Sequence, residues 1–251
     1  YIEDKKCVEV NFQYPDMESA YFKDLLHFVD IPINENILEI DKVKIISGYV
    51  HSLFNHSGDN VPSLMDPITI INEARKGKSF RCVEYSYLTQ ALLLSNGIVA
   101  RIIGLKTKDV ETRLSGAGHV VLEFWSKDFL KWVMVDVQEG VIPVSNGVPL
   151  SCFEFANCIE NGKDFEFNNV TDSRFNIEKD SNEYADWVKQ YLYYFDTGVE
   201  VFSINITDQD RFTKQKIMLV PIGESGPKIF QNKIPIMNTI YTNSLLDFYP
   251  N

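Results

Sequence analysis

The sequence predicts an α+β protein, and three observations carry that prediction. Apolar residues fall at helical spacing through the N-terminal part, β-branched and alternating runs follow in the middle, and Gly, Asn and Pro punctuate the changes between them.

Residues 8–12 read as a short strand and 21–29 as an amphipathic stretch. A helix is predicted over 39–54, where Ile40, Val43, Ile46, Val50 and Phe54 lie near helical spacing. Residues 55–62, rich in Asn, Ser, Gly and Asp, form a loop. Asp66-Pro67 then opens a helix through Ile68, Ile71 and Ala74, with Asp as N-cap and Pro in the first turn, and Gly77 ends it. Good helix formers run from Cys82 to Ser95 and close on Asn96-Gly97. Residues 98–105 are apolar and β-branched enough for a buried strand. Residues 119–125 and 132–137 form an antiparallel hairpin across the polar turn 126–131. Beyond Pro143 a helix is expected over 183–194, with strand-like segments at 199–206 and 216–222. The domain reading is an N-terminal extension 1–38, a core 39–150, and a C-terminal extension 151–251 that completes the sheet or forms a small appended lobe.

With 251 residues, 45% of them apolar, the chain has ample material for a core. A formal charge of −11 and scattered basic residues argue against a nucleic-acid partner, whose affinity rests on clustered Lys and Arg. No apolar run approaches the length of a membrane span. The four cysteines make no disulfide framework and there is no C-x-x-C, so no zinc ribbon is indicated. Cys152 and Cys158 are read either as a pair in an oxidising compartment or as two buried free thiols. His51 and His56 lack ligands at metal spacing, and no cofactor pattern is present. Asn205-Ile206-Thr207 fits the N-glycosylation acceptor pattern. The chain begins at Tyr1 rather than Met, which fits removal of an export signal or trimming; localisation stays open, with secreted or cell-envelope favoured over cytoplasmic.

The chemistry-bearing pattern centres on Cys82. A thiol at a helix N-terminus beside an imidazole is favoured as thiolate, and the same free backbone N–H groups can hold an oxyanion. Of the four histidines, only His119 starts a strand after a Gly-rich turn, Ser115-Gly116-Ala117-Gly118. His119, Val121, Glu123 and Trp125 face one way, and Val120, Leu122 and Phe124 the other. With the turn at 126–129, Trp125 pairs with Leu130 and His119 lies opposite Asp136; a turn two residues longer leaves Asp136 as a diagonal neighbour on the same face. A carboxylate there would fix the imidazole tautomer and steady the imidazolium. Arg101 is read as a structural ion pair with Glu84 or Glu123. The aromatic cluster Tyr191, Tyr193, Tyr194 and Phe195 is read as core packing rather than a sugar or peptide platform.

The stretch from Gly77 through Cys82 and "GIVARIIGL", then "GHVVLEFW", then "KWVMVD", resembles the transglutaminase-like core over residues 77–137. That resemblance implies a papain-like α+β fold in which the Cys82 helix packs on an antiparallel sheet bearing His119 and Asp136. It also implies acyl-enzyme chemistry: Cys82 the nucleophile, His119 the proton shuttle, Asp136 its orienter. Family members often place an oxyanion-holding donor upstream of the cysteine; Tyr49, His51, Asn55 and His56 stand in that region, with His51 preferred. The expectation is a cysteine-dependent peptidase or amidase acting on a peptide, protein or peptidoglycan-like amide. Hydrolysis is favoured over protein cross-linking, because no calcium loop is evident and the flanks are too short for several β-sandwich domains. The alternatives are an acyl transferase on the same triad and a non-catalytic binding module on the same scaffold.

Overall fold

The computed structural model describes residues 1–2, 5–34, 36–204, 207 and 210–250, the side chain of Arg211 excepted. Asn205 and Ile206 of the glycosylation pattern lie outside the described residues. The elements are α1 (Ala20–Val29), α2 (Glu39–Leu53), α3 (Pro67–Ala74), α4 (Cys82–Ser95), β1 (Ala100–Lys106), β2 (Gly118–Ser126), β3 (Lys131–Val135), β4 (Val141–Ser145) and β5 (Val148–Pro149). They continue with α5 (Cys152–Glu160), β6 (Glu166–Asn169), α6 (Ile177–Lys189), β7 (Tyr194–Gly198), α7 (Asp210–Thr213), β8 (Lys216–Leu219), β9 (Ile229–Phe230), β10 (Ile234–Pro235), β11 (Thr239–Thr242) and α8 (Leu245–Phe248).

A six-stranded sheet in the order β11-β8-β7-β1-β2-β3 forms the centre, antiparallel except for the β11–β8 pair. The C-terminal strands β7, β8 and β11 extend it on the β1 side. Alternation divides β2 between two cores: Leu122 and Phe124 pack with α1 to α4 on one face, Val121 with α5 and α6 on the other. Helix α4 is buried all round, which is why it carries apolar side chains on every face. Gln90 within it donates to Ala100 O (3.0 Å) and Val201 O (2.7 Å), fixing the helix to β1 and to the chain beyond β7.

The caps follow from local chemistry. Asp66 accepts from the N–H groups of Ile68 and Thr69 at 3.1 Å each, starting α3. Gly97, at φ +70°, ends α4 in the left-handed conformation, with Ile98 N–H reaching back to Leu93 O at 2.9 Å.

Several expectations shift. Residues 8–12 form no strand; Cys7 and Val8 instead donate their N–H groups to the Asp247 carboxylate, so the segment is held by a side chain rather than a ladder. The helix expected over 183–194 is α6 at Ile177–Lys189, and the aromatic pair Tyr194-Phe195 opens β7 instead. Helix α5 was unanticipated although Ser151 and Glu154 form a capping box. Among the described residues no helix is long and apolar enough to cross a membrane.

Candidate active site

Cys82 is the first residue of α4. Glu84, three residues into the turn after the N-cap Arg81, accepts from Arg81 N–H (3.0 Å) and pairs with the Arg81 guanidinium (2.6 Å). That closes the helix start and leaves the thiol side partly exposed on a cleft. His119 follows Gly118, where a Cβ would come within 3.0 Å of the Phe230 ring and 3.1 Å of Leu105 O, so only glycine lets β2 start here without a shift.

The hairpin turn places Trp125 opposite Trp132 and Ser126 opposite Lys131. This is the longer-turn register, two residues on from a Trp125–Leu130 pairing, because Lys127 to Leu130 form the turn and Leu130 takes a left-handed φ of 51°. Asp136 lies just past β3, bridged to Val141, and is a diagonal neighbour of His119 on the same face. His119 Nε2 and Asp136 Oδ2 are 2.7 Å apart, with both side chains buried. The Cys82 thiol neighbours the same imidazole closely enough to act on its charge.

Burial alone would push the His119 pKa down, but the Asp136 charge, with the hydrogen bonds to Asp136 and Cys82, raises it well above the usual histidine range. Burial works in the opposite sense on Asp136, and there too the partner wins: the imidazolium and hydrogen bonds from His119, Tyr184 and the Glu139 N–H hold its carboxyl below its usual range. The arrangement can therefore keep a proton on the imidazole next to a thiol.

Helix α6 completes the site, and sequence reasoning missed its part. Tyr184 donates its hydroxyl to Asp136 Oδ2 at 2.9 Å, and the Trp187 ring meets His119 edge-on with centroids 5.0 Å apart. Tyr191, one turn on, sits 6.1 Å from the His119 ring. Tyr184, Trp187 and Tyr191 recur at i, i+3 and i+7, a helical signal visible in the sequence.

The preferred oxyanion candidate lies elsewhere. His51 is buried with both ring nitrogens engaged: Nδ1 donates to Val137 O at 3.0 Å, and Nε2 accepts from Arg174 N and Nε at 3.2 Å each. Burial, with the Arg174 charge, holds it below its usual pKa, which matches this neutral tautomer. Tyr49 packs against the helical core and its buried hydroxyl has no partner among the described residues. Neither lines the Cys82 cleft, whereas His56 and Gln138 do. Asn55 instead accepts from Arg174.

Arg101 pairs with Glu123 (2.8 Å), not Glu84, and is boxed in by Trp132, Phe248 and Tyr249. Cys152 and Cys158 are buried free thiols on α5.

A cysteine-bearing helix packed on an antiparallel sheet that brings in a histidine and, at its strand end, an aspartate defines the papain-like α+β class. Residues 33–137, less than half of the chain, match the family model described as the transglutaminase-like superfamily, and this part of the chain is similar to that core. A candidate cysteine protease from Cytophaga hutchinsonii, known from its crystal structure, is similar over 46% of this chain at 18% identity and a TM-score of 0.36; the aligned part spans 37% of that protein's chain. A search of curated proteins finds no match.

Proposed function

We propose that Cys82, His119 and Asp136 act as a catalytic triad and that the protein is a cysteine-dependent amide hydrolase, a peptidase or amidase, acting on a peptide, protein or peptidoglycan-like amide. The observation that carries this reading is the buried 2.7 Å contact between His119 Nε2 and Asp136 Oδ2, on a cleft that Cys82 and His119 line together. The Cys82 thiolate attacks the amide carbonyl carbon, and His119 gives its proton to the departing amine as the C–N bond breaks. The resulting thioester is attacked by water, whose proton returns to His119 as the C–S bond breaks and the acid leaves. Backbone N–H groups at the start of α4, with His56 or Gln138 from the same cleft, would hold the oxyanion.

The test is the pH dependence of iodoacetamide labelling at Cys82, read by mass spectrometry, in the wild type and in His119→Ala. Rapid labelling near pH 6 that the variant loses supports an imidazole-activated thiolate. Labelling that rises only above about pH 8 in both proteins, as for an ordinary thiol, leaves a binding module on this scaffold.

A further inference from the structure

Two cavities, each of about 530 Å³, adjoin across His56, Gln138 and Trp187, which line both. They differ in chemistry. The first holds Cys82 and His119 and runs under the β9–β10 hairpin, where Leu105, Tyr191, Phe230, Ile234 and Ile236 supply an apolar wall. Its charged groups are largely compensated: Arg81 pairs with Glu84, and Lys106 and Lys216 with Asp196 at 2.7 and 3.4 Å.

The second cavity lies on the α6 side and carries Glu139, Asp180 and Glu183 against a single guanidinium, Arg174. Arg174 is occupied by neutral groups, donating to His51 Nε2, to Asn55 Oδ1 and to the carbonyls of His51 and Phe54. Glu139 is half-buried, and among the described residues the side-chain hydrogen bond it accepts comes from the neutral amide of Gln138 at 2.8 Å. The other amide atom of that residue, Gln138 Oε1, is a buried acceptor with no donor among the described residues. Burial and the neighbouring Asp136 hold the Glu139 carboxyl above its usual range, outweighing His119 and Arg174. A half-buried carboxylate held by a neutral amide, with Asp180 and Glu183 lining the same cavity, asks for a cation that also donates hydrogen bonds.

We propose that this cleft selects an amide substrate with an apolar group on one side of the scissile bond and an ammonium or guanidinium group on the other, Glu139 being the residue that recognises the charge. The inference rests on Cys82 being the nucleophile, and its test separates the two ideas. Cys82 is labelled with methanethiosulfonates that carry an ammonium, a neutral ethyl or a sulfonate group, and Cys7, exposed and outside this cleft, is the internal reference. Relative to Cys7, Cys82 should favour the ammonium reagent over the sulfonate by roughly tenfold, the scale of electrostatic focusing in a charged cleft. Glu139→Gln should remove most of that preference, and Glu183→Gln, on the exposed face of α6, a smaller part. On the apolar side, N-benzyl iodoacetamide should outpace iodoacetamide, with the advantage lost in Phe230→Ser. Equal charge ratios at Cys82 and Cys7, a ratio that neither glutamate variant moves, or no benzyl advantage would overturn the proposal. Labelling insensitive to His119→Ala would instead count against the catalytic reading, and the charge ratios would still report on the cavity.

Discussion

Asp136 Oδ2 accepts two hydrogen bonds at once, from His119 Nε2 at 2.7 Å and from the Tyr184 hydroxyl at 2.9 Å, while Oδ1 accepts from Glu139 N–H at 3.2 Å. Burial, and then the Asp136 charge, keep the tyrosine pKa well above its ordinary value, so its hydroxyl remains a donor. Tyr184 is thus a positioning residue: it holds the carboxylate that holds the imidazole. Tyr184→Phe removes one charge-assisted hydrogen bond and should lower unfolding free energy by about 1.5–3 kcal/mol in urea denaturation. It should also slow Cys82 labelling near pH 6, by less than His119→Ala does. Labelling indistinguishable from wild type would reduce the tyrosine to packing.

The His119–Asp136 pair should give the fold a stability window in pH. The folded His119 pKa is raised, so its contribution is complete below the ordinary value of 6.5 and disappears as pH rises through the folded value. The folded Asp136 pKa is depressed, so its contribution is complete above 3.8 and disappears as pH falls through the folded value. Both are present together between those limits. The stability gap between the wild type and Asp136→Asn, measured by denaturation across pH, should be widest there and shrink on either side. A gap independent of pH would mean that the pair is not charged in the folded protein.

Much of this arrangement is written locally. The Asp66-Pro67 start, the Asn96-Gly97 stop and the alternation of β2 each depend on neighbours in sequence, and the structure contains all three. The hairpin register came down to turn length, which period-two alternation leaves open by two residues while keeping His119 and Asp136 on one face. What was not legible depends on distant contacts. His51 is tied up by Arg174, 123 residues away, and Tyr184 reaches Asp136 across 48. A helix face shows its period in the sequence but not which side chain it will meet. The α5 capping box, Ser151 and Glu154, is by contrast a local signal, legible without any distant contact.

Arg101 lies wholly inside the protein, its guanidinium shared between Glu123 Oε2 and Phe248 O, and the other Glu123 oxygen takes Cys152 N–H and the Tyr249 hydroxyl. One ion pair therefore fastens β1, β2, α5 and the C-terminal turn. Arg101→Met leaves Glu123 charged and unpaired and should cost about 3–5 kcal/mol in denaturation. Arg101→Met with Glu123→Leu should recover much of that loss, because the second change removes the stranded charge. Loss no smaller in the double variant than in the single one would show that the hydrogen bonds to Cys152 and Tyr249, rather than the pair, carry the stability.

The two histidines upstream of Cys82 should separate by experiment as they do in space. His56 lines the cleft that holds the thiol, and burial, followed by the nearby His119, keeps its pKa low and its ring neutral, so it can donate to a developing oxyanion without competing for the His119 proton. His51 has no free ring nitrogen and bridges Val137 to Arg174. With an amide substrate in hand, His56→Ala should lower kcat by about 10²–10³-fold, the usual effect of losing one oxyanion donor, with KM little changed. His51→Ala should act chiefly on stability, leaving a buried carbonyl and the Arg174 side chain without their partner at a cost of about 1–3 kcal/mol. If His51→Ala lowers kcat without lowering stability while His56→Ala does neither, the oxyanion assignment reverts to His51. A loss of kcat in neither variant assigns the oxyanion to Gln138 and the backbone N–H groups at the start of α4.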